Sequence, residues 1–256
     1  MTSAAAFLGG DRTAAGSWRF EFGEHLLGAF GGVFGGAQAA AALLAARELA
    51  PDRTPVGVDC RFLRPLPAGN AVVRADVVHR GRRAAVANVE VSAGDDRCST
   101  RVTVSLVDLT TLHARNDVRD ARDAPHAGDR PWPHPPDRRV PIIDTLKPRG
   151  GRERDGVVST ITVPWDDPEA AAEAVCLVGD LCVGPPVAAA CGDRWVPHPN
   201  PDVSLRFTGQ LAAVHELSAV GRVSGLVGGV ASVSLEVWAE ANPVAVGVAT
   251  SVLLDL

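Results

Sequence analysis

Residues 27–50, LGAFGGVFGGAQAAAALLAARELA, decide how this chain is read. Their length and their small apolar residues predict a helix from about Leu27 to Ala50. Pro51 and Pro55 close it, since proline cannot continue a helix. Gly28, Gly31, Gly32, Gly35 and Gly36 crowd the first part. A glycine inside a helix costs about 0.5–1 kcal/mol relative to alanine, so this density needs a physical reason. One reason is that small residues let a sheet wrap closely around the helix. Another is that, near a helix start, they bare backbone N–H groups able to hold a carbonyl oxygen that becomes negative during a reaction. The two are compatible, because a helix enclosed by its sheet shields such an amide from water. The stretch is also long enough to suggest a membrane span, but its glycines and the charged Arg47 and Glu48 favour a buried helix of a globular protein.

Working outward, a short β-prone alternation at 18–22 precedes the helix. Strand-like segments follow at 56–63, 71–79, 84–91 and 98–107, separated by Pro65, Pro67 and Gly69, then Gly81, then Gly94-Asp95-Asp96. The second half repeats the order. Segment 157–163 is β-prone, and Asp166-Asp167-Pro168-Glu169 announces a helix, with an Asp cap and a proline tolerated in the first turn. Gly184-Pro185-Pro186 ends or kinks that helix. Strand candidates lie at 203–209, 211–220, 229–238 and 244–254. Each half therefore reads strand, helix, then four strands, an internal repeat. The division is 1–109 and 156–256 for the two halves, with 110–155 between them. In that middle segment Arg115, Asp117, Arg119, Asp120, Arg122 and Asp123 alternate in sign, which predicts a solvated linker with His113, His126 and His134 as spacers.

Composition narrows the function. The 256 residues carry 46% hydrophobic and 21% charged residues, ordinary values for a chain that buries a core. A net charge of -5 argues against nucleic acid as a partner. Cys60, Cys98, Cys176, Cys182 and Cys191 form no CxxC pair, so reduced thiols are expected, with neither disulfide framework nor metal site. The N-terminus lacks a basic region followed by an apolar run, so a cytoplasmic protein without a signal peptide or membrane span is expected. No cofactor motif occurs: there is no G-x-S-x-G, P-loop or G-x-G-x-x-G.

Asp180 stands out on its own. Its helical neighbours Cys176, Leu177, Val183 and Gly184 are apolar, and it lies near the expected helix C-terminus, where the dipole disfavours negative charge. A carboxylate placed against both burial and dipole is suited to act as a general base. The bland alternative is a solvent-facing residue on a frayed last turn.

A strand–helix–four-strand unit with the helix wrapped by its sheet is the hot-dog plan. Phe30-Gly31-Gly32 with Gly36, Arg61-Phe62-Leu63-Arg64-Pro65 with Gly69, and Gly81-Arg82-Arg83 resemble, in that order, motifs of acyl-CoA thioesterases of the thioesterase II type. Asp180 with Pro185-Pro186, Trp195-Val196-Pro197 and Val237-Trp238 continue the resemblance through the second half. It implies an α+β double hot-dog fold, with two antiparallel sheets each wrapped around a long helix. It further implies hydrolysis of acyl-CoA or acyl-carrier thioesters in lipid metabolism, with assembly into a homo-oligomer left open. The family positions the attacking water with an Asp, a hydroxyl residue and a Gln. The corresponding positions here are Asp180, Asn200 or its neighbour Asp202, and Thr250, so Thr250 stands where the family has glutamine. Amides near Gly31 or Gly32 would polarise the thioester carbonyl, and Arg82, with Arg80 and Arg83, could meet coenzyme A phosphates.

Two rival functions follow from the residues. Gly192-Asp193-Arg194-Trp195-Val196-Pro197-His198 is similar to the signature of hot-dog hydratases, in which an Asp and a His activate water for an enoyl thioester. The absent glutamine points instead to a double hot-dog that binds acyl thioesters without turning them over.

Overall fold

The computed structural model describes residues 2–255 apart from 95–96, 114–123, 126–138, 154–155, 193–195, 209–210 and 212–213. The alternating charges of the central segment, with His126 and His134, fall outside the described residues. In the first half, α1 (Ala4–Leu8), β1 (Gly10–Ala14) and β2 (Ser17–Phe22) precede α2 (Gly35–Leu49). Then come β3 (Thr54–Phe62), β4 (Gly69–Arg80), β5 (Ala84–Ala93) and β6 (Cys98–Val107). The second half begins with α3 (Pro141–Leu146), β7 (Arg149–Glu153) and β8 (Gly156–Thr162), followed by α4 (Ala171–Leu181) and α5 (Gly184–Ala190). It closes with β9 (Asp202–Phe207), β10 (Glu216–Val227), β11 (Val230–Ala239) and β12 (Asn242–Val252). The end of the expected 110–155 linker is therefore structured, since β7 pairs along β8 from Arg149 opposite Thr160.

The strands form one 12-stranded sheet in the order β1-β2-β4-β5-β6-β3-β9-β12-β11-β10-β8-β7. Read from either edge to the middle, both halves have the same connectivity. The repeat seen in the sequence is thus a two-fold repeat of structure. The expected two sheets are joined edge to edge: β3 and β9 pair antiparallel, with Cys60 opposite Val203 and Arg61 opposite Asp202. This pairing satisfies two edges that would otherwise present open hydrogen-bonding groups.

Inside the curve lies α2, whose Ala37, Ala39, Ala40, Ala41, Ala42, Ala45 and Ala46 are buried. A helix apolar on every side is one surrounded by protein, and alanine stubs let the strands approach it closely. The helix starts later than the sequence suggested. Before Gly35 the chain makes a tight turn, with Leu27 bridged to Val33 and the Gly28 N–H donating to the Gly32 carbonyl at 2.8 Å. Gly31 in that turn has φ +78°, a conformation that glycine adopts without strain. Of the five glycines, three serve this turn and only Gly35 and Gly36 enter the helix.

The second central helix is interrupted. Asp167 caps a 3-10 turn at Pro168–Ala170 by accepting the Glu169 N–H at 3.0 Å, after which α4 runs to Leu181. The proline pair then forces a new start, so α4 ends at Leu181 and α5 begins at Gly184, at the break that Gly184-Pro185-Pro186 announces. By length and composition Pro168–Ala190 matches a membrane-crossing helix, yet 94% of its most apolar window is buried inside this fold. The strand expected at 211–220 is displaced to Glu216–Val227 and continues through two glycines that resemble turn signals. Gly221 belongs inside the strand because a Cβ there would lie 2.3 Å from the Cys182 carbonyl, where the end of α4 rests on the sheet.

Candidate active site

The helices α2 and α4 cross antiparallel at the junction of the halves. At one end Gly36 touches the backbone of α4, where an added Cβ would lie 2.7 Å from the Cys176 carbonyl oxygen. At the other end Arg47 of α2 donates to Glu173 of α4 at 2.8 Å. The Gly36 end carries Asp180. α2 has no capping side chain of its own, since Phe34 occupies its N-cap. Asp180 supplies the cap from the other half, its Oδ2 accepting the Gly36 N–H at 2.7 Å. The positive end of α2 thus meets a carboxylate at the unfavourable end of α4.

Asn200 completes the arrangement by donating from Nδ2 to Asp180 Oδ1 at 2.5 Å. Its position follows from the flanking prolines. Pro199 accepts from Val252 N–H at 3.0 Å and Pro201 from Phe62 N–H at 2.8 Å, so the run is pinned to a strand on each side. A residue before proline favours extended backbone, and from this pinned run the Asn200 side chain reaches Asp180. Burial pushes the Asp180 carboxyl up from 3.8 to about 6, against the lowering effect of the bonds from Gly36 and Asn200. Around it the Phe62 ring lies over Gly35 and the Phe34 ring against Gly36. Cys60 and Cys176 sit behind the carboxylate, both thiols raised by burial.

Gly35 is the first residue of α2, half-buried, and its N–H has no acceptor among the described residues. The Ala37 and Gln38 amides are taken by the Phe34 carbonyl. Gln38 itself is tied down, donating to the Val33 carbonyl at 2.7 Å and accepting from Thr100 at 2.5 Å. The Gly28–Gly32 turn leans on the β3–β4 loop, where Val33 N–H donates to the Leu66 carbonyl and a Cβ at Gly32 would lie 3.2 Å from Pro65. Two separate motifs of the sequence therefore meet in space.

The expected site residues divide clearly. Asp180 and Asn200 are in direct contact. Gly31 and Gly32 lie in the approach turn rather than in the helix, and the amides nearest the carboxylate belong to Gly35 and Gly36. Both belong to the same glycine run, four residues beyond the pair that the resemblance assigns to the carbonyl. Thr250 is turned away: its N–H and hydroxyl both bond Asp202, at 2.9 and 3.3 Å, and Asp202 in turn faces the exposed Arg61 at 3.7 Å. Strand alternation is the reason, since the neighbours Ala249 and Ser251 are the buried, helix-facing residues. Asp202 shares this outer face, which leaves Asn200 as the residue of that pair at Asp180. Arg82 is also remote. Arg53 donates to the Gly81 and Arg82 carbonyls, and Arg80 to Leu49 at the far end of α2, a helix about 20 Å long. Of the rival hydratase pair, Asp193 lies outside the described residues, while His198 is buried with Nδ1 2.5 Å from the Val196 carbonyl and its ring edge-on to Phe30.

Sheet, central helices and duplication together define a double hot-dog fold, with the candidate site at the contact between its halves. Residues 27–107, about a third of the chain, match the family model described as the acyl-CoA thioesterase N-terminal domain. Solved structures extend the likeness of fold over the whole length. The acyl-CoA thioesterase II TesB2 of Mycobacterium marinum has 15% identity and a TM-score of 0.74, with 99% of each chain covered. The tesB protein of Mycobacterium avium subsp. paratuberculosis has 19% identity and a TM-score of 0.74, with 98% of each covered. A conserved hot-dog protein of Alicyclobacillus acidocaldarius has 19% identity and a TM-score of 0.77, covering 99% of this chain and 98% of its own. No curated protein matches the sequence.

Proposed function

We propose that the protein hydrolyses acyl thioesters, with Asp180 as the general base. The observation that carries this reading is a buried carboxylate, raised to about 6, held between an amide of one half and an asparagine of the other. Such a group is ionised at neutral pH yet basic enough to take a proton from water. Each of its oxygens keeps a second lone pair beyond the bond it already accepts. A water on that lone pair, with its other hydrogen directed by Asn200, attacks the thioester carbonyl carbon and passes its proton to Asp180. The Gly35 N–H, aided by the α2 dipole, stabilises the oxyanion as it forms. Collapse breaks the C–S bond, and the proton held by Asp180 goes to the departing sulfur, giving acid and thiol. The family model that residues 27–107 match supports coenzyme A thioesters as the substrate class.

The competing role for Asp180 is purely structural, a cap for α2. Asp180→Asn separates the two, because an asparagine still offers Gly36 an acceptor while losing the base. Thiol release from acyl-CoA should fall about a hundredfold or more in this variant with the fold intact. Wild-type-like turnover would remove Asp180 from the mechanism.

A further inference from the structure

We infer that the site takes short acyl groups and excludes long ones, because the passage a long chain would need between the halves is closed. This rests on the hydrolase reading and deepens it. The thioester carbonyl has to sit between the Gly35 N–H and the water on Asp180. From that point an acyl chain directed inward meets the α2–α4 crossing, where the helices touch through backbone. A methyl group at Gly36 would lie 2.7 Å from the Cys176 carbonyl oxygen and 3.0 Å from Leu177 Cα. One at Gly35 would lie 2.6 Å from the Phe62 ring and 2.9 Å from Asp180 Oδ2, and one at Gly179 3.1 Å from Leu205. At Gly36 the contact is backbone on backbone and refuses even one methyl group, so a file of methylenes does not pass there, and the side chains around Gly35 and Gly179 leave little room beside it.

Behind them Cys60, Cys176, Leu177 and Leu205 are at most 1% exposed and packed into the common core. Interiors of this kind have the density of organic crystals and yield little. The acyl group then has to lie outside this packed crossing, toward the surface, where Phe30 and Leu63 beside the site's own segments are 41% and 51% exposed. A few carbons bury themselves there, and further carbons lie in solvent.

Chain length gives the test. In a buried tunnel every added methylene strengthens binding about fourfold. Here the gain should stop near a hexyl chain. The Asp180→Asn protein is titrated calorimetrically with S-ethyl-, S-butyl-, S-hexyl-, S-decyl- and S-dodecyl-coenzyme A, thioethers that cannot be hydrolysed. In parallel, kcat/KM of the wild type is measured for the matching acyl-CoAs. Affinity that rises to hexyl and is flat or falling at decyl and dodecyl supports the inference. A Phe62→Ala variant that extends the rise to decyl supports the assigned wall. Affinity that keeps climbing through dodecyl overturns the size limit, and if the wild type hydrolyses these substrates the hydrolase reading stands. Failure of every thioether to bind overturns the inference, and absence of thiol release as well overturns both.

Discussion

Replacing Asp180 by asparagine should make the protein more stable at neutral pH while disabling it. The carboxyl is raised from 3.8 to about 6 by burial, so its charged form is held in the folded state at a cost. The sign follows from proton linkage. Between about pH 4 and pH 6 the folded protein keeps a proton that the unfolded chain has released, so stability falls as pH rises through this window. Above it, a rise of about two pH units corresponds to about 3 kcal/mol of lost stability. Asp180→Asn removes the charge without stranding its partners: Gly36 N–H keeps an acceptor, and the Asn200 amide turns over to meet the new donor. Urea unfolding of both proteins at about pH 5 and about pH 8 measures the effect, and the variant's advantage should grow by about 1–2 kcal/mol across that interval. Buried Glu173 is raised in the same direction, but it is present in both proteins and cancels in the difference. A variant less stable than wild type at pH 8, with a gap that does not change with pH, would refute the desolvated-carboxylate argument.

The same titration should appear in the kinetics of the wild type, with kcat/KM rising through about pH 6 as Asp180 loses its proton; a flat acid limb in a stopped thiol-release assay counts against the base. Gly36→Ala drives a methyl group into the backbone of α4 and should cost about 1–3 kcal/mol with loss of activity, whereas Gly31→Ala meets open space and suffers only its positive φ, about 1–2 kcal/mol; chemical denaturation compares them. Arg47→Met leaves the fully buried Glu173 without its cation and should destabilise by about 3–5 kcal/mol at neutral pH. Because burial raises Glu173, that loss should shrink as the solution is acidified, and pH-dependent melting tests it. Thr250→Val should leave hydrolysis within about twofold while Asn200→Ala lowers it at least about tenfold, since only Asn200 touches Asp180.

What the sequence determined by itself is local and periodic. The repeated order of strand, helix and four strands, the small-residue helix, the Asp167 cap and the break at Pro185-Pro186 all depend on neighbours a few positions apart; all reappear in the structure, each half adding a short helix and an edge strand, α1 and β1 or α3 and β7, ahead of that order. Asp180 was legible for the same reason, because helical spacing shows what surrounds it on its own turn. Tertiary structure alone decided the rest. The bond from Gly36 to Asp180 spans 144 residues, and no local pattern says which amide of a glycine run will face it. Thr250 and Ser251 differ by one position, and only the pairing of β12 with β9 assigns one to the outer face and the other to the core. In a strand a one-residue change of register exchanges the two faces. Arg82 belongs to a turn whose distance from the site is set by the length and direction of α2. The joining of β3 to β9, which brings the two halves around one carboxylate, is a contact between edges that the sequence leaves equally open.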